Sequence, residues 1–574
     1  MKKKIVILCV IVGILLLTVL GMQLWKLRGP EPAPTTATTT ETVAATTEPP
    51  QTTAPTQATT EPTTEPVTEP AQTQPPFQPQ MQASSDPANW NTVWNVAIDH
   101  EIVESYTREE PVSFESGEYF ALPGVAAFRG GNYRGDASYG TADLSDHSIT
   151  KLWEMRVGYV SDPIWSGCGW TGQPLVVQWD TETRQLMNLY EEKKNKEGLV
   201  EVVYAKMDGL IHFFDIEDGS ATRDPIWLGM TFKGSGALDP RGYPLLYVGA
   251  GIEEGERVQR IFVVSLIDGS VLYEFCARDM TTNRWWFAFD SSPLVHAETD
   301  TLIWPCESGQ LHTFKLNTVY DKAAGTISVT PDPPVKSIYS NTYHKQGRYI
   351  GYESSVTAVK NYLYLGDNAG SFHCVDVNTM ELVWAQDLLD DINATAAFDW
   401  GEDGRGYLYV GASIDYSGNA GLPMCKIDAQ TGEILWDKRI HCTANEAHVG
   451  GVMASPMLGR EGTNMEDLVI FTVADVPKTW SGMTYAMNKH TGEVVWELEL
   501  GNYTWSSPVG IYGEDGRGYI FQADNDGCCY LIDGATGEVL STFEMNAHVE
   551  ASPVAFGDRV VMGTRDGIIL FQIG

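Results

Sequence analysis

The sequence predicts an all-β fold, an eight-bladed β-propeller, and three recurrences carry that prediction. The first is a turn. Lys426-Ile-Asp-Ala-Gln-Thr-Gly-Glu-Ile-Leu-Trp436 returns as Met487-Asn-Lys-His-Thr-Gly-Glu-Val-Val-Trp496 and as Ile532-Asp-Gly-Ala-Thr-Gly-Glu-Val-Leu540, with weaker echoes at 375–384, 266–273 and 214–220. Each reads as a strand, an Asp or Asn with a glycine to reverse the chain, and a second β-branched strand. The second recurrence is spacing: Trp384, Trp436 and Trp496 lie 52 and 60 residues apart, and Ser541 follows after 45. Short strands repeating at that period are the mark of propeller blades. The third is a small-residue signal, most often Ser-Pro, before each candidate innermost strand. It stands at Ser291-Ser-Pro293, Ser354-Ser-Val356, Ala454-Ser-Pro456, Ser506-Ser-Pro508 and Ala551-Ser-Pro553. Proline is tolerated at the first position of a strand, where its missing N–H costs least.

In chain order, residues 1–28 read as a cytoplasmic tail and membrane anchor. Ile5 to Trp25 is a run of 21 residues without a charge, preceded by three lysines. At ~1.5 Å rise per residue the run spans a ~30 Å hydrocarbon core. It is too long for a signal-peptide core and has no small-residue cleavage site, so an uncleaved transmembrane helix is expected, with the N-terminus cytoplasmic.

Residues 29–88 hold no basic side chain and one aromatic, Phe77. This Thr/Pro-rich stretch cannot bury a core and is expected to be a disordered linker. Residues 89–125, with Trp90, Trp94 and a candidate short helix from Asn91 to Tyr106, read as a leader packed on the propeller. The propeller itself spans 126–574.

Blade starts fall near 172, 235, 292, 355, 395, 455, 507 and 552, with Gly172-Gln-Pro174, Gly234-Ser-Gly236 and Ala394-Thr-Ala396 as the less regular signals. The stretch after Ala551 has room for three strands only. The missing fourth is expected from Leu152-Trp-Glu-Met-Arg-Val157, whose Leu-Trp matches Leu435-Trp436, so that the N-terminal strand closes the ring and removes exposed sheet edges.

Charge narrows the class of partner. The chain carries −37 overall, and residues 1–28 hold five basic and no acidic groups, leaving 33 basic against 75 acidic side chains beyond them. Such a surface repels nucleic acid and anionic lipid heads. The expected site of action is therefore the cell surface, with the propeller extracellular and a protein or glycan as partner. The cysteines lack the paired spacings of a zinc site. The Asp-x-Arg-Gly-Tyr turns at Asp239, Asp403 and Asp515 are hairpin residues, and no metal is assigned to them.

The pattern Asp-x-x-Thr-Gly-x-x-x-Trp, with Ser-Pro opening the next blade, resembles the repeat of pyrroloquinoline quinone (PQQ)-type β-propellers. The likeness covers about residues 126–574. It implies that the turn glycines Gly432 and Gly492 and the tryptophans Trp436, Trp496, Trp384 and Trp153 dock blades, with Ser541 departing from the pattern. The family holds quinoprotein dehydrogenases and non-enzymatic relatives, so its fold does not settle function. In the enzymes, PQQ lies between a tryptophan and a disulfide of adjacent cysteines, with Ca²⁺ and an aspartate base. Cys528-Cys529 is such a dipeptide, but it reads as a regular strand, where successive side chains diverge. No cofactor is therefore expected. PQQ-dependent dehydrogenation, or glycan chemistry on an aromatic face, stands as the alternative.

Loops entering the innermost strands gather on one face. They carry Trp170, Trp285 and Trp505, and Asp290, Glu353 and Glu550 stand at one equivalent position in three blades. These six are the candidate ligand-binding residues at the channel mouth. No catalytic residue is assigned.

Overall fold

The computed structural model describes residues 76–169, 172–279, 281–282, 284–341, 350–414, 422–442 and 449–574. The expected anchor and most of the expected linker lie outside them. Among the described residues no helix is long and apolar enough to cross a membrane.

Eight antiparallel sheets form the blades. Their innermost strands are Leu175–Val177, Ala237–Leu238, Leu294–His296, Thr357–Val359, Ala397–Trp400, Met457–Leu458, Val509–Tyr512 and Val554–Phe556 for blades 1 to 8. Each begins two or three residues after a start read from the sequence. Blade 8 has three C-terminal strands, and Ile149–Arg156 supplies its fourth, with Trp153 opposite Leu570 and Ile149 opposite Ile573. Gly574 and Ser148 exchange two backbone hydrogen bonds at the seam. The predicted closure is observed.

A shared irregularity aims the aromatics. In six blades the outer strand pair slips by one residue just before the tryptophan position, leaving Leu272, Val383, Leu435, Val495, Leu540 and Leu152 unpaired. A bulge bends the strand and redirects the next side chain. Trp384 thereby reaches Gly432 of the following blade, where a Cβ would sit 2.8 Å from the indole; Trp436 meets Gly492 and Trp496 meets Gly537 in the same way. These glycines have φ of +71°, +71° and +77°, so only glycine suits both the turn and the contact. Each indole N–H donates to a backbone carbonyl of the next blade, at Ala429, Lys489 and Gly534. Trp153 repeats the arrangement on Gly219 of blade 1. The docking pairs thus cross blade boundaries, and Gly432 and Trp436 of one blade serve two different junctions. Ser541 has no such partner, because blade 8 replaces the corresponding turn with the chain end at Gly574 and the entry at Ile149.

Two sequence expectations change. The segment expected as a helix, Asn91 to Tyr106, follows a 3₁₀ turn at Pro87–Trp90 and instead holds the strand Thr92–Ile98, which pairs with Val335–Asn341 and adds a fifth strand to blade 3. Its Thr-Val-Trp-Asn-Val-Ala-Ile composition favours an extended backbone, and an open sheet edge offers it hydrogen bonds. The spacer expected to run to residue 88 ends earlier. Phe77 packs edge-on against Tyr362, Phe398 and Trp400, and the buried Ser85 hydroxyl donates to Thr431 O (2.5 Å).

The axis is occupied by the chain itself. Residues 126–137 run past the innermost strands, hydrogen-bonding in turn to Leu238, Ala358, Phe398, Leu458 and Ala555. Arg129 and Arg134 are fully buried. Arg129 donates to Pro508 O (2.5 Å) and Pro456 O (3.3 Å), and Arg134 to Val356 O, Phe128 O and Ser292 O (2.9, 2.7 and 3.1 Å). Backbone carbonyls of five residues accept from these two cations and Asp136 lies 4.0 Å from Arg129 Nη2, though Arg129 Nε has no acceptor. Burial still pulls the Arg134 guanidinium down to about 10.

Candidate functional site

Above this plug, the Ser-Pro signals find their physical role. From blade 3 to blade 7, the second residue of each signal donates its N–H to the hydroxyl of its counterpart one blade on, while Ser552 N–H of blade 8 donates to Gly172 O. Ser292 donates to Ser355 (2.8 Å), Ser355 to Thr395 (2.9 Å), Thr395 to Ser455 (2.9 Å), Ser455 to Ser507 (3.0 Å) and Ser507 to Ser552 (3.1 Å). Gln173 N adds a bond to Ser235 (2.6 Å). The hydroxyl girdle encloses an axial cavity of about 20 Å³, closed below by Phe128. That is room for about one water molecule.

Asp290 and Glu353 both line this cavity, with Asn393. The Asp290 side chain is 4% exposed and ion-paired through Oδ2 to Lys233, while its Oδ1 receives no hydrogen bond. Behind it lies Glu307, 1% exposed, whose Oε2 is 3.1 Å from Arg284 Nη2 while Oε1 has no donor. Burial, reinforced by the Glu353 and Asp290 charges, pushes the Glu307 carboxyl well above the usual range. The same three carboxylates hold the buried Lys233 ammonium above its ordinary value despite the opposing cost of burial. From Arg284 a chain of polar contacts continues to Asn368 Oδ1 (3.0 Å), from Asn368 to Asp391 (3.0 Å), and from Asn393 to Asp391 (2.7 Å). It spans the inner ends of blades 3 to 5.

The other predicted positions differ in state. Glu550 is neutralised by Arg565 (2.7 Å) and faces His548 (3.2 Å). Trp505 is buried, edge-on to Tyr503 at 5.7 Å. Trp285 is 55% exposed, with Phe287 at its edge and the Arg278 guanidinium 5.5 Å above its ring. Trp170 lies outside the described residues. So two of the six line the cavity, one stands exposed on the loop before blade 3, and two are engaged within the protein.

Sequence reasoning missed Lys233, Glu307, Arg284, Asn368 and Trp480. Glu307, Asn368 and Trp480 sit in loops joining second to third strands. Strand direction alternates, so those loops share the face of the loops entering the innermost strands. Trp480, 52% exposed, packs with its ring tilted 5.6 Å from that of Tyr503 and carries a left-handed backbone (φ +69°), a costly state for a bulky residue.

The vicinal cysteines are free thiols on opposite faces of their strand. Cys529 is buried in the layer between blades 7 and 8, and Cys528 packs against the layer between blades 6 and 7. Neither lines the axial cavity, and a cavity of one water's size does not fit a quinone. Among the described residues, no group of three or more His, Cys, Asp or Glu is arranged to hold a metal. The Asp-x-Arg-Gly-Tyr carboxylates accept backbone N–H groups within their own turns, as at Asp403 (3.1 Å) and Asp515 (3.1 Å).

Comparison with known proteins agrees with this architecture. Residues 480–572 match the family model of the outer membrane protein assembly factor BamB. No curated protein matches the sequence. Among solved structures, quinohemoprotein alcohol dehydrogenase ADHIIG from Pseudomonas putida HK5 aligns at a TM-score of 0.51 and 13% identity, over 81% of this chain and 83% of that one. BamB from Moraxella catarrhalis aligns at 16% identity and a TM-score of 0.43, over 74% of this chain and 98% of its own. With its Thr-Gly and Trp repeat and its closed ring, the protein is an eight-bladed β-propeller, and its residues 480–572, across blades 6 to 8, match the BamB family model.

Proposed function

We propose that the protein is a membrane-anchored extracellular propeller that acts as a protein-interaction scaffold, with its partner engaged at the channel mouth. One observation carries this reading: the chain fills its own axis with Phe128, Arg129 and Arg134, leaving, among the described residues, an acidic and aromatic mouth over an axial cavity of about 20 Å³. A surface that recognises a partner needs the mouth alone; a cofactor enzyme needs depth. The uncharged run from Ile5 to Trp25 and the acidic balance beyond it support display outside the cell.

The test is a photo-crosslinking amino acid placed at Trp285 and, separately, at Val495 on the outer edge of blade 6, in the full-length chain on intact cells. Discrete crosslinks from position 285 alone are expected. Equal products from both positions would remove the mouth from the reading. In parallel, the purified chain is incubated with PQQ, Ca²⁺ and an artificial electron acceptor, and no alcohol or aldose oxidation is expected. Saturable quinone uptake with turnover would favour the dehydrogenase alternative.

A further inference from the structure

We propose that the axial cavity takes a single primary ammonium group, the end of a lysine side chain or of a free alkylamine. This deepens the interaction reading and rests on it. The argument begins with an unmet demand. The Asp290 side chain is 4% exposed and lines the cavity; its Oδ2 is held by the Lys233 ammonium, and its Oδ1 has no hydrogen-bond donor. Buried acceptors are normally satisfied, so that oxygen marks a place for a donor.

Charge then selects the sign. Lys233 is paired to Asp290 and Arg284 to Glu307, which leaves Glu353 as the acid at the cavity without a cation of its own. Glu353 is half-buried and makes no hydrogen bond or ion pair, so it stands at the cavity free to meet a cation.

Size and donor geometry select the group. About 20 Å³ admits one water-sized head. An ammonium is that size and carries three N–H donors on one atom. A guanidinium is a planar fork and too broad, and a quaternary ammonium has no donor to give. Calcium or magnesium needs six or more oxygens, and the buried Lys233 beside Asp290 opposes any double charge. The hydroxyls of the girdle already accept backbone N–H bonds, which leaves oxygen lone pairs and O–H groups to line the seat. Trp285 and Trp480 on the loops outside could cover the methylene stem, as aromatic rims do for long side chains.

The experiment is titration calorimetry of the full-length chain with n-butylammonium, tetramethylammonium and butanol, followed by a peptide carrying one lysine. Saturable binding of butylammonium is expected, with neither the quaternary ion nor the alcohol competing. Glu353→Gln should weaken it at least about tenfold, as loss of a desolvated charge partner does. Asp290→Asn should abolish it; should that variant fail to unfold cooperatively, Glu353→Gln alone decides. Equal binding of tetramethylammonium, no binding of butylammonium, or unchanged affinity in Glu353→Gln would each overturn the proposal. Tighter binding of the lysine peptide than of butylammonium assigns the source as a protein side chain, and equal binding assigns a free amine. Failure here with crosslinks still confined to position 285 would remove the ammonium and leave the scaffold standing; loss of both would remove the mouth altogether.

Discussion

Glu307 shows how far a single residue can depart from its ordinary chemistry in this ring. Its carboxyl is raised by burial and by the neighbouring Glu353 and Asp290, so the folded state holds its proton to higher pH than the unfolded chain does. Stability from this group is therefore present below the unfolded value, near 4.5, and is lost as pH rises toward the folded value. Glu307→Gln should flatten that slope and raise the melting temperature at pH 7, while its carbonyl still accepts from Arg284. A melting curve at pH 5 and pH 7 for both proteins checks the sign, and a lower melting temperature at pH 7 would refute it. Lys206 is the reverse case. Its ammonium is fully buried with no hydrogen-bond partner, lies 4.8 Å over the Phe214 ring, and is pulled by burial down to about 8. The unfolded chain binds the proton more tightly, so stability grows as pH rises from about 8 toward 10.5. Lys206→Met should stabilise the protein at pH 7 by about 1–3 kcal/mol, measured by denaturant midpoint. Neither residue was legible in the sequence, because a lone Glu or Lys beside a strand carries no sign of what will surround it. The girdle hydroxyls were legible as a landmark, Ser-Ser-Pro, but their purpose needed the neighbouring blade. Ser455→Ala leaves the buried Thr395 N–H without an acceptor and should cost about 1–3 kcal/mol.

At the level of elements, the blade junction is an indole laid on a glycine. Trp384 is fully buried between blades 4 and 5, so Trp384→Ala should cost about 3–5 kcal/mol through lost contacts and the cavity left behind. The same logic predicts no reward for repairing the irregular blade. Ser541→Trp restores the consensus letter but finds no turn glycine in blade 8, and its stability should stay within about 0.5 kcal/mol of the parent. A clear gain would mean that the seam docks some other way. The repeat made the strands and turns readable, since periodic Asp, Gly and Trp leave a sequence trace at each hairpin. The leader left none. Thr92–Ile98 alternates weakly enough to read as a short helix, and the edge of blade 3 that recruits it lies more than 230 residues on. The plug 126–137 was equally silent: Phe128-Arg-Gly-Gly-Asn-Tyr-Arg134 has no period, and its partners come from several blades.

For the whole molecule, the ring is held by one seam that joins residues distant in sequence. Ile149–Arg156 pairs with Gly567–Ile573 on both sides of the bulge at Leu152, and Gly574 is stitched to Ser148. Layers of buried side chains run continuously across the seam, from Val509 and Phe521 of blade 7 through Val560 and Phe571 of blade 8, and from Val561 and Leu570 to Val176 and Val202 of blade 1. Each blade buries its faces only against its neighbours, so opening the ring exposes two sheets at once. Loss of the last strands should then unseat more than blade 8. Arg129 and Arg134 depend on carbonyls from blades 3, 4, 6 and 7 held at a common radius, and a ring that gapes cannot keep them satisfied. Truncation before residue 560 should therefore abolish the single cooperative unfolding transition, and hydrogen exchange should rise in blades 1 and 7 and in the plug together. Protection lost only within 551–559 and 149–156, with one sharp transition retained, would mean that the blades stand independently and that closure merely caps the edge.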